Sequence, residues 1–125
     1  NLSQLVRFRG AVSRQQLPNI LNRHQLMISF NTTALDRSVV EAMACGLPVI
    51  TPNQCVAEAL PKYHHSLIIT ENDIDQHAEI IHQLMSLSEE KRSNLGQELR
   101  LIVKENHSLK SLVAKIIKEI NNHKT

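Results

Sequence analysis

Residues 33–51, TALDRSVVEAMACGLPVIT, decide the fold. Thr33 to Arg37 are small or polar and read as a loop. Ser38 to Ala44 follow with alanine and methionine and no breaker, which predicts about two turns of helix with Ser38 at or near the N-cap. Gly46 stands where a chain leaving a helix takes a left-handed residue. Pro48-Val49-Ile50 is a short apolar run of the kind found in a strand covered on both faces. A loop running into a helix N-terminus beside a parallel sheet is an anion-binding arrangement.

Working outward, the same alternation continues. Leu5 to Arg9 reads as a strand ended by Gly10. Ser13, with Gln16 at the capping-box position, predicts a helix over about 14–23 with Leu17, Ile20 and Leu21 on one face; Pro18 is tolerated near its first turn. Leu26 to Phe30 is a second strand and Pro48 to Thr51 the third. Pro52-Asn53-Gln54 is a turn, and Val56 to Leu60 a short helix halted by Pro61. Lys62 to His65 is polar linker, and Leu67-Ile68-Ile69 a fourth strand. Residues 1–70 are thus βα units with right-handed crossovers. The expected class is α/β: a partial Rossmann-like parallel sheet of about four strands with flanking helices.

Residues 71–125 are expected to be helical and to complete a single domain, 1–125. Asp73 or Asp75 caps a helix with Ile74, Ala78, Ile81 and Met85 inward. Ser86 and Glu89 form a capping box for a helix reaching about Asn106, with Leu95, Leu99, Ile102 and Val103 as its stripe. Ser108 caps the last helix. Its stripe of Leu109, Leu112, Val113, Ile116, Ile117 and Ile120 is expected to pack on the sheet. Lys104, Lys110, Lys115 and Lys118 are expected to face water.

Composition excludes several classes. A net charge of +2 and scattered cations give no nucleic-acid footprint, and Phe8, Phe30 and Tyr63 are too few for a base-stacking platform. No apolar run approaches the roughly 20 residues that span a bilayer, and no signal-peptide pattern opens the chain. Cys45 and Cys55 lack metal or redox spacing and suit a reducing, cytoplasmic compartment. His64-His65, and His77 with His82, lack zinc-ligand spacing. Asp73-Ile-Asp75 reads as helix capping rather than metal binding, so no metal or cofactor is expected.

Ligands of open parallel sheets bind beyond the carboxyl ends of the strands. Three loops emerge there: 10–13, 31–37 and 51–54. Ser38 and the amides after it can hold a phosphate or serve as a plain cap. Arg37 can add a charge-assisted bond or be a surface charge. Glu41 reads equally as an early-helix acid complementing the dipole and as an acceptor for a vicinal diol.

The string E-A-M-A-C-G-L-P-V-I, residues 41–50, resembles the signature of the group 1 glycosyl transferases. These are retaining enzymes with two Rossmann-like domains, the GT-B arrangement. Weaker echoes, LVRFRGAV, LMISF and SLIIT, extend the resemblance over most of residues 5–85. The resemblance implies that this is the C-terminal, donor-binding part of a longer chain. The whole would transfer a hexosyl-type sugar from a nucleotide-sugar to a glycan or lipid acceptor, as in polysaccharide synthesis. It implies that Glu41 accepts from the ribose hydroxyls, and that Thr33, Ala34, Leu35, Asp36, Arg37 and Ser38 lie against the donor sugar and diphosphate. Gly10, Ala11 and Val12 would flank the base. It supplies no catalytic residue in this chain and requires no divalent metal. Membrane contact, if the whole enzyme is peripheral, would come through parts outside this chain, as would the acceptor domain.

Two departures from the family pattern stand out. Thr33 occupies the position of a second Glu, eight residues before Glu41, and cannot supply a carboxylate. The basic pair that neutralises the leaving diphosphate would precede Asn1, so the chain alone is expected to turn over no substrate. By the family strand order, the strand at Leu5–Arg9 would lack its neighbours. It is expected to pair with the Leu26–Phe30 strand or with a second copy of the chain. The rival to a donor-binding enzyme domain is a non-catalytic binding or interaction module. A flavodoxin-like signalling domain is remoter, since no carboxylate cluster marks the strand ends.

Overall fold

The computed structural model describes residues 2–122. Residues 1 and 123–125, which the expected domain bounds include, lie outside them. The elements run α1 (Leu17–Leu21), β1 (Met27–Ile28), α2 (Arg37–Ala44), β2 (Val49–Ile50), α3 (Gln54–Ala59), α4 (His64–Leu67), α5 (Ile74–Ser86), α6 (Glu89–Asn106) and α7 (Leu109–Asn122). Single 3-10 turns lie at Leu2–Gln4 and Pro61–Tyr63.

The architecture is mixed α/β, but the sheet is far smaller than expected. β1 and β2 pair in parallel, with Met27 opposite Val49 and Ile28 opposite Ile50. The third member is one parallel bridge, Thr51 to Ile68. The Thr51 amide donates to the Leu67 carbonyl at 3.1 Å and the Ile69 amide to the Thr51 carbonyl at 3.1 Å. A four-strand sheet is therefore corrected to two short strands and a bridge. Leu67 closes α4, so the fourth strand is cut to its middle residue, and 64–65, read as linker, are helical.

Leu5 to Arg9 forms no strand and does not pair with β1. Leu5 and Phe8 are exposed, Phe8 almost entirely, at 98 %. With Leu5, Val6 and Phe8 all exposed, the segment's apolar side chains cover no face of the fold. Pairing with another copy is untouched by this geometry.

The helix termini also move. α1 has five residues instead of ten, and its N-cap Gln16 makes no side-chain bond; Ser13 contributes its carbonyl, not its hydroxyl. α2 begins one residue earlier than read, capped by Asp36 rather than Ser38. Gly46 has φ +77, as expected of a helix stop. The Leu47 amide reaches the Ala42 carbonyl (3.0 Å) and the Gly46 amide the Met43 carbonyl (2.9 Å), the paired bonds of a Schellman ending. Asp73 caps α5, whose buried residues are Ile80 and Leu84. Ile74, Ala78 and Met85, expected inward, are exposed. α6 is capped by Ser88, not Ser86, and buries Gly96, Leu99 and Val103.

The core lies where α2 and α6 cross over β2. Val39, Met43, Ile50, Leu60, Leu67 and Leu99 are essentially inaccessible. A methyl placed on Gly96 would lie 1.9 Å from the Gly46 carbonyl oxygen, so the crossing depends on glycine there. The apolar stripe of α7 does not pack on the sheet. Each of its six residues is exposed, from 45 % at Val113 to 76 % at Leu109. Among the described residues, α7 packs chiefly against α6.

Candidate functional site

The turn Ser29–Asp36 is built by side chains that bond locally. The Ser29 hydroxyl donates to Asp36 Oδ2 at 2.7 Å. Asp36 Oδ1 accepts from the Ser38 amide (2.9 Å) and the Ser38 hydroxyl (2.7 Å). Burial pushes the Asp36 carboxyl upward, but these Ser38 and Ser29 donors outweigh it and hold it below its ordinary value. The Thr33 amide and hydroxyl both donate to Asn31 Oδ1 at 3.0 Å. Beneath the turn lies Asn53, fully buried, whose amide group donates to the carbonyls of Asn31 and Ala34.

These bonds engage two of the groups expected to meet a ligand. Ser38 is neither the N-cap nor a free donor, because its amide and hydroxyl both bond Asp36. The positive end of α2, where a phosphate was expected, already carries a carboxylate. Leu35 is partly exposed, and Ala34 is anchored through its carbonyl.

One turn further on, Glu41 projects from α2 into a groove of about 200 Å³ between α1 and α2. Its side chain is 30 % exposed and lies 3.9 Å from Arg37 Nε, a pair of one helical turn whose Arg37 side is in water. The rest of the groove is Arg14, Leu17, Pro18, Leu21, Ala44 and Cys45. Among the described residues its surface is therefore an apolar wall with one carboxylate and one guanidinium. Burial and, more weakly, Glu41 raise the Cys45 thiol against the opposing pull of Arg100, so Cys45 stays protonated at neutral pH. Gly10 (φ +68), Ala11 and Val12 run in an exposed, irregular stretch. Among the residues expected at the donor, Glu41 is the one lining this groove; residues 10–12 and 33–38 are not part of its wall.

Sequence reasoning passed over Arg14, treated only as the start of a helix, and Cys45, treated only as a reduced thiol. Their signal is positional: Arg14 is four residues beyond Gly10, and Cys45 is four residues beyond Glu41 on the same helix face.

The carboxyl ends of β1, β2 and the Ile68 bridge open on a polar hollow of about 330 Å³ that shares no lining residue with this groove. Among the described residues, no three His, Cys, Asp or Glu side chains gather as a metal site. No helix among them is long and apolar enough to cross a membrane.

The family model described as glycosyl transferases group 1 matches residues 1–87 of the chain. No curated protein and no solved structure matches it.

Proposed function

The chain belongs to the group 1 glycosyl transferases, and on that footing we propose that the α1–α2 groove receives the nucleoside part of a nucleotide-sugar donor. The observation that carries this is the position of Glu41, half-buried in an apolar groove with Arg14 beside it. A carboxylate only accepts, through two oxygens, and so matches the paired hydroxyls of a ribose. Leu17, Pro18 and Leu21 offer a flat apolar wall to a base. Arg14 and, at the mouth, Arg37 supply positive charge for a diphosphate.

In this reading the donor sugar extends from the groove toward the 31–37 turn, and Gly10–Val12 close over the base. Transfer proceeds with retention at the sugar, onto a glycan or lipid acceptor, in the cytoplasm and without a metal. Acceptor contacts and further cations against the leaving diphosphate come from other parts of the enzyme. Thr33 brings no carboxylate to the sugar, so this chain binds donor without turning it over.

One observation favours a second reading. Asp36 fills the α2 N-terminus with negative charge, and Thr33 is tied to Asn31. A relative that has lost transfer and keeps the scaffold for binding would look like this. Titration calorimetry with uridine, guanosine and adenosine diphosphates separates the two. Heat with one of them that disappears in Glu41→Ala supports the donor site. Absence of heat with all three, in folded protein, leaves the non-catalytic module.

A further inference from the structure

The amino ends of β1 and β2 border another hollow, of about 460 Å³. Three stretches far apart in the chain meet there: residues 22–25 before β1, 46–48 before β2, and 89–93 in α6. Leu47 and Pro48 are buried and give it an apolar wall. It shares no lining residue with the groove that holds Glu41.

Two guanidiniums from different elements, Arg23 and Arg92, line this hollow against one carboxylate, Glu89. Arg92 is half-buried and held in place: its Nη1 donates to the Met85 carbonyl at 3.1 Å and to the Leu87 carbonyl at 2.9 Å. Its Nε and Nη2 keep their N–H groups free. Arg23 is exposed, and among the described residues neither arginine nor Glu89 takes part in an ion pair. Guanidiniums with donors to spare and no carboxylate partner suit a phosphate, which accepts through several oxygens. Arg100 and Lys104 also line a hollow, but both stand exposed on α6, one turn apart, as a solvated face. The remaining polar groups around Arg23 and Arg92 suit hydroxyls. His24 Nδ1 donates to the Ile20 carbonyl at 2.7 Å, which leaves Nε2 as an acceptor in the neutral ring. The side chains of Asn22, Gln25 and Ser93 both give and accept, and none is bonded elsewhere among the described residues.

We propose that this hollow binds a small hydroxylated phosphate monoester, its phosphate between Arg23 and Arg92 and its hydroxyls toward His24, Asn22, Gln25 and Ser93. The volume lies within the range of small-molecule sites, about 300–1,000 Å³. The site goes beyond the donor reading and does not depend on it, because it lies at the other ends of the strands and uses none of the same residues. A ligand there joins the segment before β1 to α6 and to the turn that ends α2, and so braces the α2–α6 crossing.

The test is amide-resolved NMR titration of the full chain with glycerol 3-phosphate, inorganic phosphate, glycerol and a phosphoserine tripeptide, at constant pH and ionic strength. Glycerol 3-phosphate is expected to bind with a millimolar Kd, more tightly than the other three, with shifts at Gln25, Leu47 and Ser93 and none at Arg14 or Glu41. Arg23→Ala, at an exposed position bonded to nothing else, should weaken that binding about tenfold, the worth of one charge-assisted bond. Arg23→Lys should recover part of it, since the charge stays and the fork is lost. Glu89→Gln removes the one carboxylate that repels the phosphate and should tighten binding about twofold to threefold. No shift with glycerol 3-phosphate overturns the proposal, as do shifts confined to Arg14 and Glu41. Binding untouched by Arg23→Ala, or weakened in Glu89→Gln, overturns it too. Inorganic phosphate or the peptide binding as tightly as glycerol 3-phosphate would remove the small hydroxylated ester as the ligand.

Discussion

Asn53 organises the strand-end loops from beneath. Its Oδ1 accepts from the Val56 amide at 3.2 Å and caps α3, while its amide group satisfies Asn31 and Ala34. Asn53→Asp keeps the cap and loses both donors, leaving two carbonyls without partners beside a buried charge. Urea unfolding should show a loss of about 2–3 kcal/mol. Asp36 is the other residue on which the turn depends. Its folded pKa lies below the unfolded value of 3.8, so its contribution is present above that pH and fades as pH falls through the folded value. Asp36→Ala should cost about 1 kcal/mol near neutrality, as for a lost N-cap. The gap between variant and wild type should narrow in urea melts taken progressively below pH 3.8. The acidic character of residue 36 was plain in the string. Its role as cap was not, because Asp36 and Ser38 are both good caps and only the path of the turn chooses between them.

At the scale of elements, the α2–α6 crossing holds the signature helix in place. Gly96→Ala gains about 1 kcal/mol of helix propensity but drives a methyl into the Gly46 carbonyl. A net destabilisation of about 2 kcal/mol is expected from overpacking, read as a lowered urea midpoint. Tyr63 and Lys62 both bond Glu98 Oε2, tying the turn before α4 to α6. Burial first, then the Glu98 bond, raises the Tyr63 phenol, while the bonds from Lys62 and Tyr63 lower the Glu98 carboxyl. α7 behaves differently. Its apolar stripe was legible from spacing, but spacing reports a face and not what covers it. Because that face is half-exposed, Ile116→Gln with Ile120→Gln should change stability by about 0.5 kcal/mol or less. Leu99→Ala, at a wholly buried site, should cost about 2–5 kcal/mol. Equal losses in the two variants would mean that α7 is covered in solution.

For the whole molecule, the donor reading makes a prediction that needs no assignment of single contacts. A ligand that binds only the folded state stabilises it by mass action. The matching nucleoside diphosphate at a hundredfold excess over Kd should therefore raise Tm by roughly 10 °C. Glu41→Ala should remove the rise without lowering the Tm of the free protein by more than a few degrees, since Glu41 makes one surface-type ion pair. A scan with and without nucleotide checks both statements.

The sequence by itself determined the local grammar: the helix of residues 38–44, the left-handed stop at Gly46, the buried Val49-Ile50 strand, the α6 stripe and the family. Each rests on neighbours within a few residues, where propensity, capping and periodicity act. Tertiary structure alone decided how many apolar runs become strands, which acid caps α2, and which side chains share a groove with Glu41. A strand exists only where its backbone bonds to another edge, and Leu5–Arg9 pairs with none among the described residues. Arg14 and Glu41 lie 27 residues apart in the chain, and only the packing of α1 beside α2 puts them on one wall.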